Sequence, residues 1–121
     1  MANAKLKPGA GSAVFDRLDL EHNTMHDQQL AVEVLGLFLA QLPVTLQRLD
    51  DAATAAEWKF AAHALKGASG AVGAQKLQNL AACLETLAFP GEPGVRLLRL
   101  QGLRVAAAEF AQAAGSAYPL P

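Results

Sequence analysis

The chain has 121 residues, enough for one domain, and its formal net charge of −1 provides no excess of positive charge for binding nucleic acid. Apolar residues make up 52% of the sequence and aromatic residues only 6%, and Ala and Leu alone supply more than a third of it. This composition favours helices, because the aromatic and β-branched residues that strands prefer are scarce. The single cysteine, Cys83, allows no disulfide within the chain, and we expect it to be a small buried apolar side chain.

Residues 1–12 have the composition of a flexible arm, with lysines, glycines and a proline but no apolar face to bury. They lack the apolar core of a signal peptide. The most apolar stretch, residues 31–42, contains Glu33 and is too short to span a bilayer. We therefore expect a cytoplasmic protein without a membrane contact. The initiating Met and the lack of a neighbouring domain favour a protein that stands alone.

The first predicted elements lie in residues 14–49. Residues 14–20 have the apolar spacing of one or two helical turns. The sequence TMHD then resembles a capping box, with Thr24 as the N-cap of the next helix and an acid three residues later. That helix has apolar residues at spacings of mostly three and four: Leu30, Val34, Leu37, Phe38, Leu42, Leu46 and Leu49. Pro43 predicts a kink or a split in this helix rather than its end, because the apolar spacing resumes beyond it.

Three further helices are predicted over residues 54–72, 75–88 and 95–114, the last two separated by the helix-breaking sequence FPGEPG. The last helix is expected to turn one apolar stripe inward: Leu97, Leu100, Leu103, Ala107 and Phe110. Four long amphipathic helices with short connections predict an all-α fold. We expect an antiparallel four-helix bundle over residues 13–115, with a short extra N-terminal helix and a loose C-terminal tail at residues 116–121.

The third predicted helix contains the sequence HALKGASG, residues 63–70. Glycine inside a helix costs roughly 1 kcal/mol relative to alanine. At about 100° per residue, Gly67 and Gly70 lie on the same face as His63, opposite the stripe expected in the core. That stripe comprises Thr54, Trp58, Ala61, Leu65, Ala68 and Val72. On an outward face, glycine has no side chain to fill the space beside the imidazole, so the backbone of another protein can approach the ring.

Two lysines flank this histidine on the same helix face. Lys59 and Lys66 supply positive charge where an anion attached to the imidazole would lie. A lone surface histidine is ordinarily only a solvated side chain, and so are the lysines around it. The informative feature is the combination of His63 with a lysine three residues later and glycines four and seven residues later.

The sequence AHALKGAS at residues 62–69, with Gly73 ten residues after the histidine, resembles the signature of the histidine-containing phosphotransfer (HPt) family. Upstream, an F-L-x-x-x-P-x-x-L pattern of the family is reproduced by Phe38, Leu39, Pro43 and Leu46. Downstream, Leu84 and Glu85 match a leucine followed by Glu or Gln. The resemblance covers about residues 25–88.

The resemblance implies that His63 is phosphorylated on Nε2 by the aspartyl phosphate of a receiver domain and passes the group to a second receiver. Lys66 would supply charge stabilisation, and Glu85 would accept a hydrogen bond from Nδ1–H, although an ordinary surface carboxylate remains an alternative for Glu85. The expected contacts with partners are Lys59, Phe60, Gly67 and Gly70. The partners would be receiver domains of response regulators and hybrid histidine kinases, each supplying the Mg²⁺, and this chain would be a monomer without a cofactor.

The chain has no glycine-rich phosphate loop and no kinase-type nucleotide motif, so we expect no kinase activity of its own. Whether the phosphohistidine intermediate makes it an enzyme stays open. One alternative is a non-catalytic helical module that binds receiver-like partners through the surface of Phe60 and Gly67. The intact His63 and Lys66 argue against it.

A metal-binding bundle is a further alternative, because His22 and His26 are four residues apart. The proposed cap Thr24 lies between them, and no Glu-x-x-His pair accompanies them, so no metal site is expected. Ser69 is expected to pack against a neighbouring helix rather than to take part in chemistry.

Overall fold

The computed structural model describes residues 12–120, so the predicted arm lies outside the described residues except for Ser12. Within this range the chain forms five α-helices and no strand, which confirms the all-α prediction for these residues. The helices are α1 (Arg17–Asn23), α2 (Gln28–Asp51), α3 (Ala55–Ala71), α4 (Gln75–Thr86) and α5 (Pro93–Ala117).

The connection between α1 and α2 differs from the prediction. Thr24 ends α1, where its Oγ1 donates a hydrogen bond to the carbonyl oxygen of Leu20 at 2.8 Å. Asp27 is the N-cap of α2, because its Oδ1 accepts from the backbone N–H of Leu30 at 3.1 Å. The prediction that Thr24 caps α2 is therefore wrong. Thr and Asp both favour the N-cap position, so the two sites could not be distinguished by residue type.

Helix α2 continues beyond Pro43, as predicted, and it runs unbroken, so a split, one of the two predicted alternatives, is excluded. It is also the one described helix whose length and apolar composition would suffice to cross a membrane. Core helices of soluble proteins pass the same test, and α2 buries Leu35, Phe38 and Leu42 in the protein core.

Helix α3 begins with a capping box. The Thr54 hydroxyl accepts from the N–H of Glu57 at 3.1 Å, and the Glu57 carboxylate accepts from the N–H of Ala53 at 2.8 Å. The helix ends at Ala71 with Val72 as its C-cap, and Gly73 follows with a φ of +77°. Both limits agree with the predicted range of 54–72 to within one or two residues.

The four longer helices share one core. Helix α3 packs most extensively against α4, α2 contacts α3 and α5, and α5 contacts α4 and α2. The largest fully buried side chains are Trp58, Phe110, Leu20, Leu35, Leu49, Leu77, Leu84 and Leu103. The Trp58 indole N–H donates to the carbonyl oxygen of Leu84 at 2.8 Å, which ties α3 to α4 inside the core. The interface between α3 and α4 is also where the candidate site lies.

Five side chains expected inside are exposed: Cys83 of α4, Leu37 of α2, Leu97 of α5, Ala68 of α3 and Thr54, which is the N-cap of α3. The prediction of a buried cysteine is therefore wrong. Buried residues of α4 such as Ala81 and Leu84 pack on α3, and Cys83 projects from a different side of the helix. Leu37 and Leu97 lie beyond the edges of the buried stripes of their helices, which are narrower than the apolar pattern of the sequence.

The C-terminal residues are packed rather than loose, so the predicted tail is wrong for residues 116–120. Helix α5 continues to Ala117, and the Tyr118 side chain is only 4% exposed. The Tyr118 ring lies 6.3 Å from the ring of Phe15, and the Arg17 guanidinium lies 4.8 Å above it. Tyr118 thereby attaches the end of α5 to the residues that precede α1.

Candidate functional site

His63 lies on the outer side of α3, directly after Ala62, which is completely buried. Its side chain is 68% exposed. The ring nitrogen Nδ1 lies 2.8 Å from Oε2 of Glu85 on α4. The other nitrogen, Nε2, forms no hydrogen bond with any residue between 12 and 120. The Nδ1 side of the imidazole is therefore held by Glu85, and Nε2 is open to solvent.

The core of the bundle positions Glu85. The preceding residue, Leu84, is buried against α3, and its carbonyl oxygen receives the Trp58 N–H. Because α3 and α4 are tied at this point, the carboxylate of Glu85 emerges beside His63 instead of extending into water. The structure thus brings together the two residues that the sequence had placed on neighbouring helices.

Lys66 contacts the same carboxylate. Its Nζ lies 2.7 Å from Oε1 of Glu85, so each carboxylate oxygen has one partner. The hydrogen bond from Lys66 and then that from His63 lower the pKa of Glu85 below its ordinary value, against a smaller opposing effect of desolvation. Glu85 is therefore ionised at neutral pH.

The ionised carboxylate determines which ring nitrogen carries the proton. A carboxylate only accepts hydrogen bonds, so the Nδ1 of His63 must donate. In the neutral imidazole the lone pair then lies on Nε2, the open nitrogen. The site presents a nucleophilic nitrogen to solvent, with an ammonium group one helical turn away.

The two glycines near His63 have different surroundings. A Cβ atom built on Gly67 would have nothing within 4 Å, as expected for an open surface. A Cβ on Gly70 would lie 2.8 Å from the side-chain nitrogen of Gln78 on α4. The expectation that both glycines lie on an open face is therefore wrong for Gly70, which packs beside α4.

The exposed surface of α3 near His63 includes one large apolar side chain, that of Phe60. Phe60 is exposed one turn before the histidine, and Lys59 is exposed beside it. A surface groove between α2 and α3 is lined by Val34, Leu37, Phe38, Gln41, Ala68, Ala71 and Val72. Sequence reasoning missed Leu37 and Ala68 as surface residues, because their apolar character and spacing match those of core positions.

The remaining candidates lie outside this arrangement. Ser69 is completely buried, as expected, and its hydroxyl has no hydrogen-bond partner among the described residues. Among residues 12–120 no group of three or more His, Cys, Asp or Glu side chains is placed to hold a metal ion. His22 and His26 flank the junction of α1 with α2, and the geometry around His63 does not include them.

Comparison with protein-family sequence profiles matches residues 33–115, well over half of the chain, to the Hpt domain. The chain belongs to the Hpt domain family. Membership implies histidine phosphotransfer in a two-component phosphorelay and interaction with receiver domains, and proteins of the family are typically soluble. Neither the curated proteins nor the solved structures gave a significant match.

Proposed function

We propose that His63 accepts a phosphoryl group on Nε2 from the aspartyl phosphate of one receiver domain and passes it to the aspartate of another. The observation that carries this proposal is the Glu85 carboxylate 2.8 Å from Nδ1, which leaves the lone pair on the exposed Nε2. Other histidines of the chain do not lie in such an arrangement within the described residues.

In the proposed step, the Nε2 lone pair of His63 attacks the phosphorus atom, and the bond from phosphorus to the aspartate oxygen breaks. The aspartate leaves as a carboxylate. No proton has to move, because Nε2 starts without one and Nδ1 keeps its own. The ring becomes a phosphorylated imidazolium, and the negative charge of Glu85 at Nδ1 stabilises it. The reverse sequence of bonds delivers the group to the second receiver.

Lys66 supports the same step through its charge. Its ammonium group already lies beside the imidazole, held by Oε1 of Glu85, and its side chain is partly exposed. Phosphoryl transfer depends mainly on positioning and on stabilising charge spread over the phosphoryl oxygens. We propose that Lys66 interacts with these oxygens, while Lys59 contributes to association with the receiver.

The receiver is proposed to approach over α3 and α2. The other side of His63 is occupied by Glu85 and Lys66 from the interface with α4. Gly67 leaves space for the backbone of the receiver, and Phe60 of α3 and Leu37 of α2 offer exposed apolar area. Gly70 lies at the edge of the contact, toward Gln78.

Several further expectations belong to this proposal. The receivers would be those of response regulators and hybrid histidine kinases, they would carry the Mg²⁺, and the exchange would take place in the cytoplasm. We also propose that α2, α3, α4 and α5 form the antiparallel four-helix arrangement predicted from the sequence. The contacts of each of these helices with two others support that arrangement.

The test is incubation of the protein with a phosphorylated receiver and Mg²⁺. Label should move to the wild-type protein and then to a second receiver, and the His63→Gln variant should remain folded but unlabelled. His22→Ala and His26→Ala are the matched controls and should be labelled like the wild type. Receiver binding without any label on the wild type would instead support the non-catalytic interaction module.

A further inference from the structure

The side chain of Gln78 on α4 lies against α3 at Gly70. A Cβ atom built on Gly70 would lie 2.8 Å from Nε2 of Gln78, 3.2 Å from its Cδ and 3.5 Å from its Oε1. The amide group of Gln78 therefore occupies the space that a side chain at residue 70 would fill. Glycine inside a helix lowers stability relative to alanine, and at residue 70 the glycine allows the amide to lie in this position.

Within the described part of the chain, the amide group of Gln78 has no partner. Its nitrogen can donate two hydrogen bonds and its oxygen can accept, yet neither atom bonds to a residue between 12 and 120. The side chain is half-buried. Other polar groups beside the site do have partners, since His63 and Lys66 both contact the carboxylate of Glu85.

A protein whose backbone comes close to Gly67 needs such an amide. Gly67 is exposed, and a Cβ atom there would have nothing within 4 Å, so another backbone can approach α3 at this point. The approaching N–H and C=O groups lose water, and each costs free energy if it is left without a partner. The interior of α3 cannot supply partners, because its backbone groups bond to one another. A side-chain amide next to the contact supplies both a donor and an acceptor.

We propose that Gln78 binds the backbone of the receiver domain at the edge of its contact with α3, and that Gly70 allows the Gln78 amide to lie there. This inference rests on the proposed function. Gly70 follows His63 by seven residues, which is about 10 Å along the helix. An interface of about 800 Å² per partner, centred on His63, reaches roughly 16 Å in each direction. Gln78 is therefore near enough to assist receiver binding, and it takes no part in the chemistry at Nε2.

Single-turnover transfer from a phosphorylated receiver, measured over a range of receiver concentrations, separates binding from chemistry. Gln78→Ala should raise the half-saturating receiver concentration roughly three- to tenfold, as expected for the loss of one hydrogen bond, and should leave the limiting rate unchanged. Asn79→Ala is the matched control, because Asn79 carries the same amide group one residue later but is exposed. It should change neither value. Circular dichroism should show both variants folded.

A double-mutant cycle tests the link between Gly70 and Gln78. Gly70→Ala displaces the Gln78 amide, so it should also raise the half-saturating receiver concentration. The variant with both substitutions should bind no more weakly than Gln78→Ala alone, whereas independent effects would multiply.

Three results would overturn this inference while a labelled wild type upheld the proposed function. These are an unchanged half-saturating concentration for Gln78→Ala, an equal effect of Asn79→Ala, and multiplied effects in the double variant. A wild type that takes up no label from the phosphorylated receiver would overturn both the inference and the proposed function.

Discussion

Nδ1 of His63 and Oε2 of Glu85 lie 2.8 Å apart across the interface of α3 and α4, although the two residues are 22 positions apart in the sequence. The contact links the reactive ring to a carboxylate that Lys66 also holds. The same carboxylate therefore selects the tautomer of His63 and keeps a positive charge beside it. Each of the following predictions tests one part of this arrangement or of the helix that supports it.

Stability should depend on pH through Glu85. Its pKa in the folded protein is below the ordinary value of 4.5, so the ionised carboxylate contributes stability that is present above the unfolded-state pKa. This contribution is lost as the pH falls through the folded-state pKa. We expect the difference in unfolding free energy between the wild type and Glu85→Gln to shrink as the pH is lowered past 4.5. Urea unfolding at several pH values measures it.

The matched control for this experiment is Glu92→Gln, since the Glu92 side chain makes no capping hydrogen bond at the start of α5. Its effect should change much less over the same range. A Glu85→Gln effect that stays constant with pH would show that the ion pair is absent in solution.

Lys66→Ala should slow phosphoryl transfer strongly, on the order of tenfold to a thousandfold, because a charge that stabilises the transition state is lost. The melting temperature should change little, since a partly exposed ion pair contributes about 0–1 kcal/mol at most. Lys59→Ala is the control on the same helix, with a smaller effect confined to receiver association. Transfer rates from a phosphorylated receiver decide the matter, and unchanged rates for Lys66→Ala would leave that residue without a role.

Substitutions at Gly67 distinguish two reasons for a glycine there, access for the receiver and close packing against another helix. Since a Cβ atom there meets nothing within 4 Å, Gly67→Ala should stabilise the protein by up to about 1 kcal/mol. Gly67→Gln should also fold, yet it should block transfer, because its side chain fills space that the receiver backbone needs. Thermal melts and transfer assays on both variants measure this. A folded Gln variant with normal transfer would refute the access argument, and an unfolded one would refute the open geometry.

Gly73 should not tolerate a residue with a side chain, because of its backbone conformation and its close approach to Asp16. Its φ is +77°, and a Cβ atom would lie 2.2 Å from the carbonyl oxygen of Asp16, whose own N–H donates to the Gly73 carbonyl at 2.7 Å. Gly73→Ala should destabilise the protein by about 1–3 kcal/mol. Gly36→Ala, in open space on α2, should not destabilise it. Urea unfolding compares the two, and equal stabilities would contradict the close approach.

The features that could be predicted from the sequence are those that depend on residues close together in the chain. Helix α3 and the outward position of His63 follow from the spacing of apolar residues, because that spacing depends on residues a few positions apart. The contacts of Gly70 with Gln78 and of Tyr118 with Phe15 join distant segments, and no local pattern encodes them. Leu37 and Leu97 were misplaced because apolar spacing defines a helix face but not how much of it the neighbouring helices cover.

The central claim concerns one atom, and ¹⁵N NMR of the histidine ring tests it most directly. Spectra of the selectively labelled protein before and after incubation with a phosphorylated receiver report the state of both ring nitrogens. Before phosphorylation, Nδ1 of His63 should carry the proton, and Glu85→Gln should weaken that preference. After phosphorylation, the phosphoryl group should be on Nε2 of His63 with Nδ1 still protonated. A phosphoryl group on Nδ1, or on a residue other than His63, would contradict the account.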